Sequence, residues 1–316
     1  MSKTPIKIQM KEPFLILLII FVLLGLAYGP IKENSSNNTG NISGSSSVGK
    51  TSSSDSASNK ELSEDIQNTK EEIKKIEENL NKKAEESKRS PFYNKISLSS
   101  IYGLYGDDPN QEYISIYTDL DKNESINITG WYLKSETTGY YALVDKASLL
   151  PFPFAKTESN VVLNRGDRVY LIKGFSPIGI SFRTNKCTGY FEENRTFSPN
   201  LSLQCPLAID ENLPKFSSVY DRNDECLDLI ENVSRCTTRD SRFTRDLPDT
   251  VPSTCKEYLT TQINYNSCVA NHFDDTDFPG NEYYIYLNKF GPLWREKREK
   301  INLYDQNNLV VDTIEY

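Results

Sequence analysis

By type, the residues of this chain best able to do chemistry are six cysteines, one histidine and a few neighbouring acids. The cysteines are Cys187, Cys205, Cys226, Cys236, Cys255 and Cys268, and all are C-terminal. A thiolate is a nucleophile, a zinc ligand and a partner in disulfide exchange. No two of these cysteines form a Cys-x-x-Cys pair, so neither a zinc knuckle nor a thioredoxin-type site is signalled. An even number of cysteines downstream of an export-type segment points instead to disulfides in an oxidising compartment. The competing reading is six reduced, buried thiols, which requires a cytosolic location.

His272 is the one histidine, and without identified partners it makes neither a metal site nor a Ser/His/Asp triad. A structural or surface role is expected. Asp274, Asp275 and Asp277 cluster beside it, and Asp107 and Asp108 form a second acidic pair. A calcium loop needs a D-x-D-x-[DN]-G pattern with a distal Glu, which is absent. Solvated loops are expected at both places, with weak divalent binding as the competing reading. No P-loop, GxGxxG, GxSxG or HExxH occurs. The chain therefore reads as non-catalytic, with no cofactor and no metal. The alternative is an exported hydrolase with a carboxylate-based site, which needs two close carboxylates lining a pocket. The formal net charge is −8. No basic face is interleaved with aromatics, so nucleic acid is not an expected partner.

The elements that must position these residues begin after a non-globular first 90 residues. Residues 1–12 carry Lys3, Lys7 and Lys11 against one acid, Glu12. The run from Phe14 to Ala27 has no charged side chain. With its flanks it comes close to the ~20 residues that span a bilayer. Residues 13–29 are thus expected to be a membrane anchor with a cytoplasmic N-terminus and an extracytoplasmic remainder. A cleavable signal peptide competes, because Ala27-Tyr28-Gly29 has the small-x-small form. Either reading exports the rest. Residues 30–59 are expected to be a disordered Ser/Asn/Gly linker, since they have no aromatic and no apolar period.

Residues 60–90 differ sharply. Leu62, Ile66, Thr69, Ile73, Ile76 and Leu80 are spaced 4-3-4-3-4, which is a heptad seam set in Lys and Glu. A coiled coil that makes a homo-oligomer is one expectation, and a solitary solvated stalk helix is the other. From Pro91 onward short alternating runs and turn signals point to a mainly β domain. Residues 224–233 and the stretch from Ser253 read as two short helices, and 300–312 as a hairpin around Asp305 to Asn308.

The first of these helices places Cys226 and Cys236 about 15 Å apart, too far to bond. An antiparallel second helix would bring Cys255 to Cys236 and Cys268 to Cys226. Cys187 and Cys205 would then close the remaining bond.

Glu112-Tyr113-Ile114-Ser115-Ile116, followed by Asn127-Ile128-Thr129-Gly130-Trp131-Tyr132-Leu133, resembles the opening of a lamin tail domain. Leu163-Asn164-Arg165-Gly166-Asp167 is similar to that family's central turn. Ile301-Asn302-Leu303-Tyr304-Asp305 with Val310-Val311-Asp312 is similar to its final hairpin. The segment from Gly174-Phe175-Ser176-Pro177 to Tyr190 resembles membrane-anchored lamin-tail-like proteins of small-genome bacteria. The resemblance implies an immunoglobulin-like β-sandwich over 91–316, interrupted by a helical, Cys-rich insertion at about 206–280. Its expected core holds Trp131, Gly130, Tyr113, Leu163 and Trp294. The family carries no catalytic set. The expected function is a membrane-anchored structural or interaction module for a cell-surface protein or envelope ligand.

Overall fold

The computed structural model describes residues 55–151, 158–213 and 224–316. The expected cytoplasmic segment, the anchor at 13–29 and the linker up to residue 54 lie outside the described residues. Among the described residues no helix is long and apolar enough to cross a membrane.

The elements, in chain order, are α1 (Asp55–Ser87), β1 (Ile96–Leu98), β2 (Tyr113–Thr118), β3 (Ser125–Asn127), β4 (Tyr132–Ser135), β5 (Tyr141–Leu143), β6 (Ala147–Ser148), β7 (Glu158–Ser159), β8 (Val162–Asn164), β9 (Arg168–Ile172), β10 (Phe182–Asn185), α2 (Asp224–Glu231), α3 (Ser241–Arg245), α4 (Ser253–Thr261), α5 (Tyr265–His272), β11 (Pro279–Tyr286), β12 (Lys300–Tyr304) and β13 (Val310–Glu315). The chain divides into two units, Met1–Asn68 and Thr69–Tyr316. Of the first, only the start of α1 is described.

Helix α1 already runs at Asp55, the first described residue, inside the stretch expected to be linker; extending an existing helix costs little. It ends at Ser87, ahead of Pro91. There the backbone changes partners: Ser90 N–H donates to Val310 O and Val310 N–H donates to Lys88 O, each at 2.8 Å.

The strands form a seven-stranded sheet ordered β1-β2-β9-β11-β10-β6-β7, a four-stranded sheet ordered β13-β12-β4-β5, and the pair β3-β8. The hairpin expected around Asp305 is present as β12–β13. Strand β11 was not expected, yet it pairs parallel with β9 and antiparallel with β10 at the centre of the larger sheet.

Period-two alternation divides the side chains of the larger sheet between two cores. Ile114, Ile116, Val169, Leu171, Tyr283 and Ile285 pack with Trp131, Leu133, Ile301, Leu303 and Val311, which ties the two sheets together. Tyr170, Ile172, Phe182, Tyr284 and Tyr286 pack instead with the helical, disulfide-bonded segment, including Ile230, Leu259 and Val269. A sheet covered on both faces has strands buried without a break, as in the run from Val169 to Ile172. The architecture is thus mainly β, with a helical layer on one face of the larger sheet.

Trp131, Leu163 and Trp294 are buried, as expected. Tyr113 and Gly130 are only half-buried, so neither belongs to the buried core. Tyr113 faces away from the inward Ile114 and Ile116, with its ring between Tyr102 and Tyr170. Gly130 serves the turn into β4 through its positive φ of 86°.

All six cysteines are paired, but in a different pattern from the one expected: Cys187 with Cys268, Cys205 with Cys236, and Cys226 with Cys255. Cys226 and Cys236 are not bonded to each other, as expected, although Cys236 does not belong to the same helix. Two features of the helices explain the difference. Helix α2 stops at Glu231, so Cys236 sits beyond it, at a φ of 58°. The expected second helix is α4, and Cys268, expected in the chain returning beyond it, lies instead in a further short helix, α5. The starts of α2 and α4 meet through Cys226 and Cys255, whose Cα atoms are 6.0 Å apart.

Candidate functional site

Three loops converge at one end of the seven-stranded sheet. The register sets this, because Tyr113 lies opposite Ile172 and Ile172 opposite Tyr286. The loop before β2 and the loops after β9 and β11 must therefore leave together. Their backbones then lace to one another. Lys173 N–H donates to Glu112 O at 2.9 Å, Gly174 N–H to Pro109 O at 3.0 Å and Asn288 N–H to Gly174 O at 3.0 Å. Lys173 Nζ and Glu112 Oε2 make a buried ion pair at 2.6 Å beneath them. A Cβ on Gly174 would stand 1.9 Å from Asn110 Oδ1, so only glycine allows this approach. Asp108, singled out as an acidic pair with Asp107, caps the turn by accepting from Asn110 N–H at 2.9 Å.

This end carries an exposed aromatic rim. Tyr102, Tyr105 and Phe290 are 61%, 72% and 78% exposed, and Phe175 and Tyr316 are partly exposed beside them. The Phe175 and Phe290 rings, from different loops, meet at 4.3 Å. Tyr102 stacks on Tyr113 at 5.0 Å. Tyr316 O–H donates to Arg295 O at 2.8 Å, and Tyr105 O–H to Glu296 O at 3.3 Å. A cavity of about 410 Å³ opens between Tyr102, Leu104, Tyr105, Ile314 and Tyr316. Burial, then the Glu299 and Glu112 carboxylates, pushes the Tyr316 phenol up. Apolar rings with polar tips, beside exposed Arg295 and Arg298, are the composition of protein interfaces.

Of the acids singled out beside His272, Asp275 and Asp277 are engaged in structure. His272 Nδ1 lies 2.8 Å from Asp275 Oδ2, and Nε2 lies 3.2 Å from Glu211 Oε1. Lys186 Nζ bridges Asp275 and Asp277 at 2.8 and 2.6 Å. Lys186, then His272, holds the Asp275 carboxyl below its ordinary range. Asp274 is exposed. Among the described residues no group of three or more His, Cys, Asp and Glu is arranged to hold a metal. Of the buried carboxylates, Glu299 accepts from Ser135 Oγ and the Arg295 and Lys300 N–H groups, and Asp305 from Ser90 Oγ and the Asn307 and Leu309 N–H groups.

The rim was missed in the sequence, although a signal exists. Ile101-Tyr102-Gly103-Leu104-Tyr105-Gly106 and Lys289-Phe290-Gly291-Pro292 set aromatics among turn formers, where no strand carries them to a core. No family model, no curated protein and no solved structure matches the chain.

Proposed function

We propose that this protein is a non-catalytic interaction module, anchored in a membrane by residues 13–29, whose extracytoplasmic β-domain binds a protein partner through the aromatic rim. The domain is a lamin-tail-like, immunoglobulin-like sandwich in this reading, with the helical layer as its addition. The observation that carries the binding role is the concentration of exposed Tyr102, Tyr105 and Phe290 on loops laced together at one end. Apolar rings exposed together on rigid loops mark interaction sites. Export is supported by the three disulfides, which persist in oxidising compartments.

Two experiments test it. Protease added to intact cells should remove the domain from Pro91 onward, and survival of that domain until lysis would place it inside. A photo-crosslinking residue at Phe290 or Tyr105 should capture one discrete partner in intact cells. The same residue at exposed Tyr141, on β5, should not. Equal capture from all three positions, or none, would remove the rim from the binding role.

A further inference from the structure

Helix α1 presents Ile66, Ile73, Ile76 and Leu80 at 50%, 49%, 58% and 61% exposure. Four large apolar side chains at seven-, three- and four-residue intervals cost free energy in water, and the same spacing in a second helix would cover them. We propose that residues 62–80 pair with the same residues of a second copy of this chain, parallel and in register.

The flanking charges select this arrangement. In a parallel, in-register pair, a residue just before one seam position meets the residue five further on in the other copy. Asp65 then meets Lys70 of the other copy, an attraction made twice by symmetry. Glu72 meets Glu77 of the other copy, a repulsion also made twice. The centred antiparallel pair would match Leu62 with Leu80, Ile66 with Ile76 and Thr69 with Ile73. It would also bring Lys70 against Lys70 and Glu72 against Glu72, with no opposite charges facing. Staggering the antiparallel pair by one heptad would place Lys70 against Glu77, but it would set Lys83 on Ile66 and strip apolar layers from the seam. The parallel pair alone keeps every apolar layer and a favourable charge pair. It does not depend on the membrane anchor or on the rim.

Leu80→Cys in the detergent-solubilised full chain tests the pairing directly. The described cysteines are all in disulfides, so the new thiol is the reactive one. In-register parallel helices place it opposite itself, and a covalent dimer should form quickly. Lys74→Cys, on the outer face, should give none. Glu77→Lys turns two repulsions into two attractions and should tighten the dimer roughly tenfold by sedimentation equilibrium. Ile73→Asp with Ile76→Asp should give a monomer with an unchanged melting temperature for the β-domain. The proposal is overturned by a wild-type monomer, by equal cross-linking at positions 74 and 80, or by a Glu77→Lys dimer that is weaker or unchanged. Weakening would assign the staggered antiparallel pair, and no change the centred one.

Discussion

At the scale of single residues, stability rests on a few fully buried side chains. Trp131 is 0% exposed, its ring 5.4 Å from Phe92 and its carbonyl bonded to Val144 N–H. Trp131→Ala should cost about 3–5 kcal/mol, read as a lower midpoint in chemical denaturation. A mutant with an unchanged midpoint would show that the indole is not the centre of this core.

Glu299 sets the acid limb. Burial alone would raise its carboxyl, but the Arg295 N–H, Thr137, Ser135 and Lys300 N–H hydrogen bonds together hold it below the ordinary range. A lowered folded value means its contribution is complete above the unfolded pKa and is lost as pH falls through the folded one. Glu299→Gln should therefore be less stable near neutrality, with the gap closing on acidification. The alkaline limb belongs to the buried tyrosines: burial pushes Tyr170, Tyr190, Tyr258 and Tyr265 up to about 12 and raises Tyr284 and Tyr286 further. Their contribution is complete below the ordinary tyrosine value near 10 and is lost as pH rises from there towards 12 and beyond. Stability curves against pH for the wild type and Glu299→Gln check both limbs.

At the scale of elements, the join between α1 and the β12–β13 hairpin turns on Asp305. This carboxylate is fully buried. It accepts from Asn307 and Leu309 N–H within the turn, at 2.8 and 3.0 Å, and from Ser90 Oγ at 2.8 Å. One side chain thus shapes the hairpin and fastens the incoming chain to it. Asp305→Ala leaves those donors without their acceptor and should cost about 3 kcal/mol. Hydrogen exchange locates the loss: the amides of Ser90 and Val310 should lose protection, while those of β9 and β11 keep theirs. Uniform loss across both sheets would mean that the hairpin and the sheets unfold only together.

At the scale of the whole molecule, the disulfide-bonded layer closes one of the fold's two hydrophobic cores and is not an appendage. It covers Tyr170, Phe182, Tyr284 and Tyr286 on a face of the larger sheet that the smaller sheet does not reach. Each disulfide contributes on the order of 2–4 kcal/mol. Reduction should release the helices and uncover those aromatics, raising ANS fluorescence. The tryptophan emission maximum should hold, since Trp131 and Trp294 both lie in the core between the sheets. Non-reducing peptide mapping should return Cys187 with Cys268, Cys205 with Cys236 and Cys226 with Cys255.

What the sequence determined by itself was local. The heptad spacing of 60–90, the Asp305 turn, a helix over Asp224–Glu231 and the start of α4 at Ser253 follow from periodicity and turn chemistry, which act within a few residues. The burial of Trp131 and the pairing of all six cysteines were also legible, from the apolar bulk of the indole and from the even cysteine count. What only the tertiary structure decided was which distant pieces meet. The disulfide partners depended on where α2 ends and on a further helix, α5, that the pattern did not show, and a shift of a few residues changes which cysteines face. Strand β11 was hidden because Tyr283 to Tyr286 is buried on both faces and shows no alternation. The aromatic rim exists because the register of β2, β9 and β11 brings three loops, far apart in the chain, to one end of a sheet. Register is a property of strand pairs, and no single segment contains it.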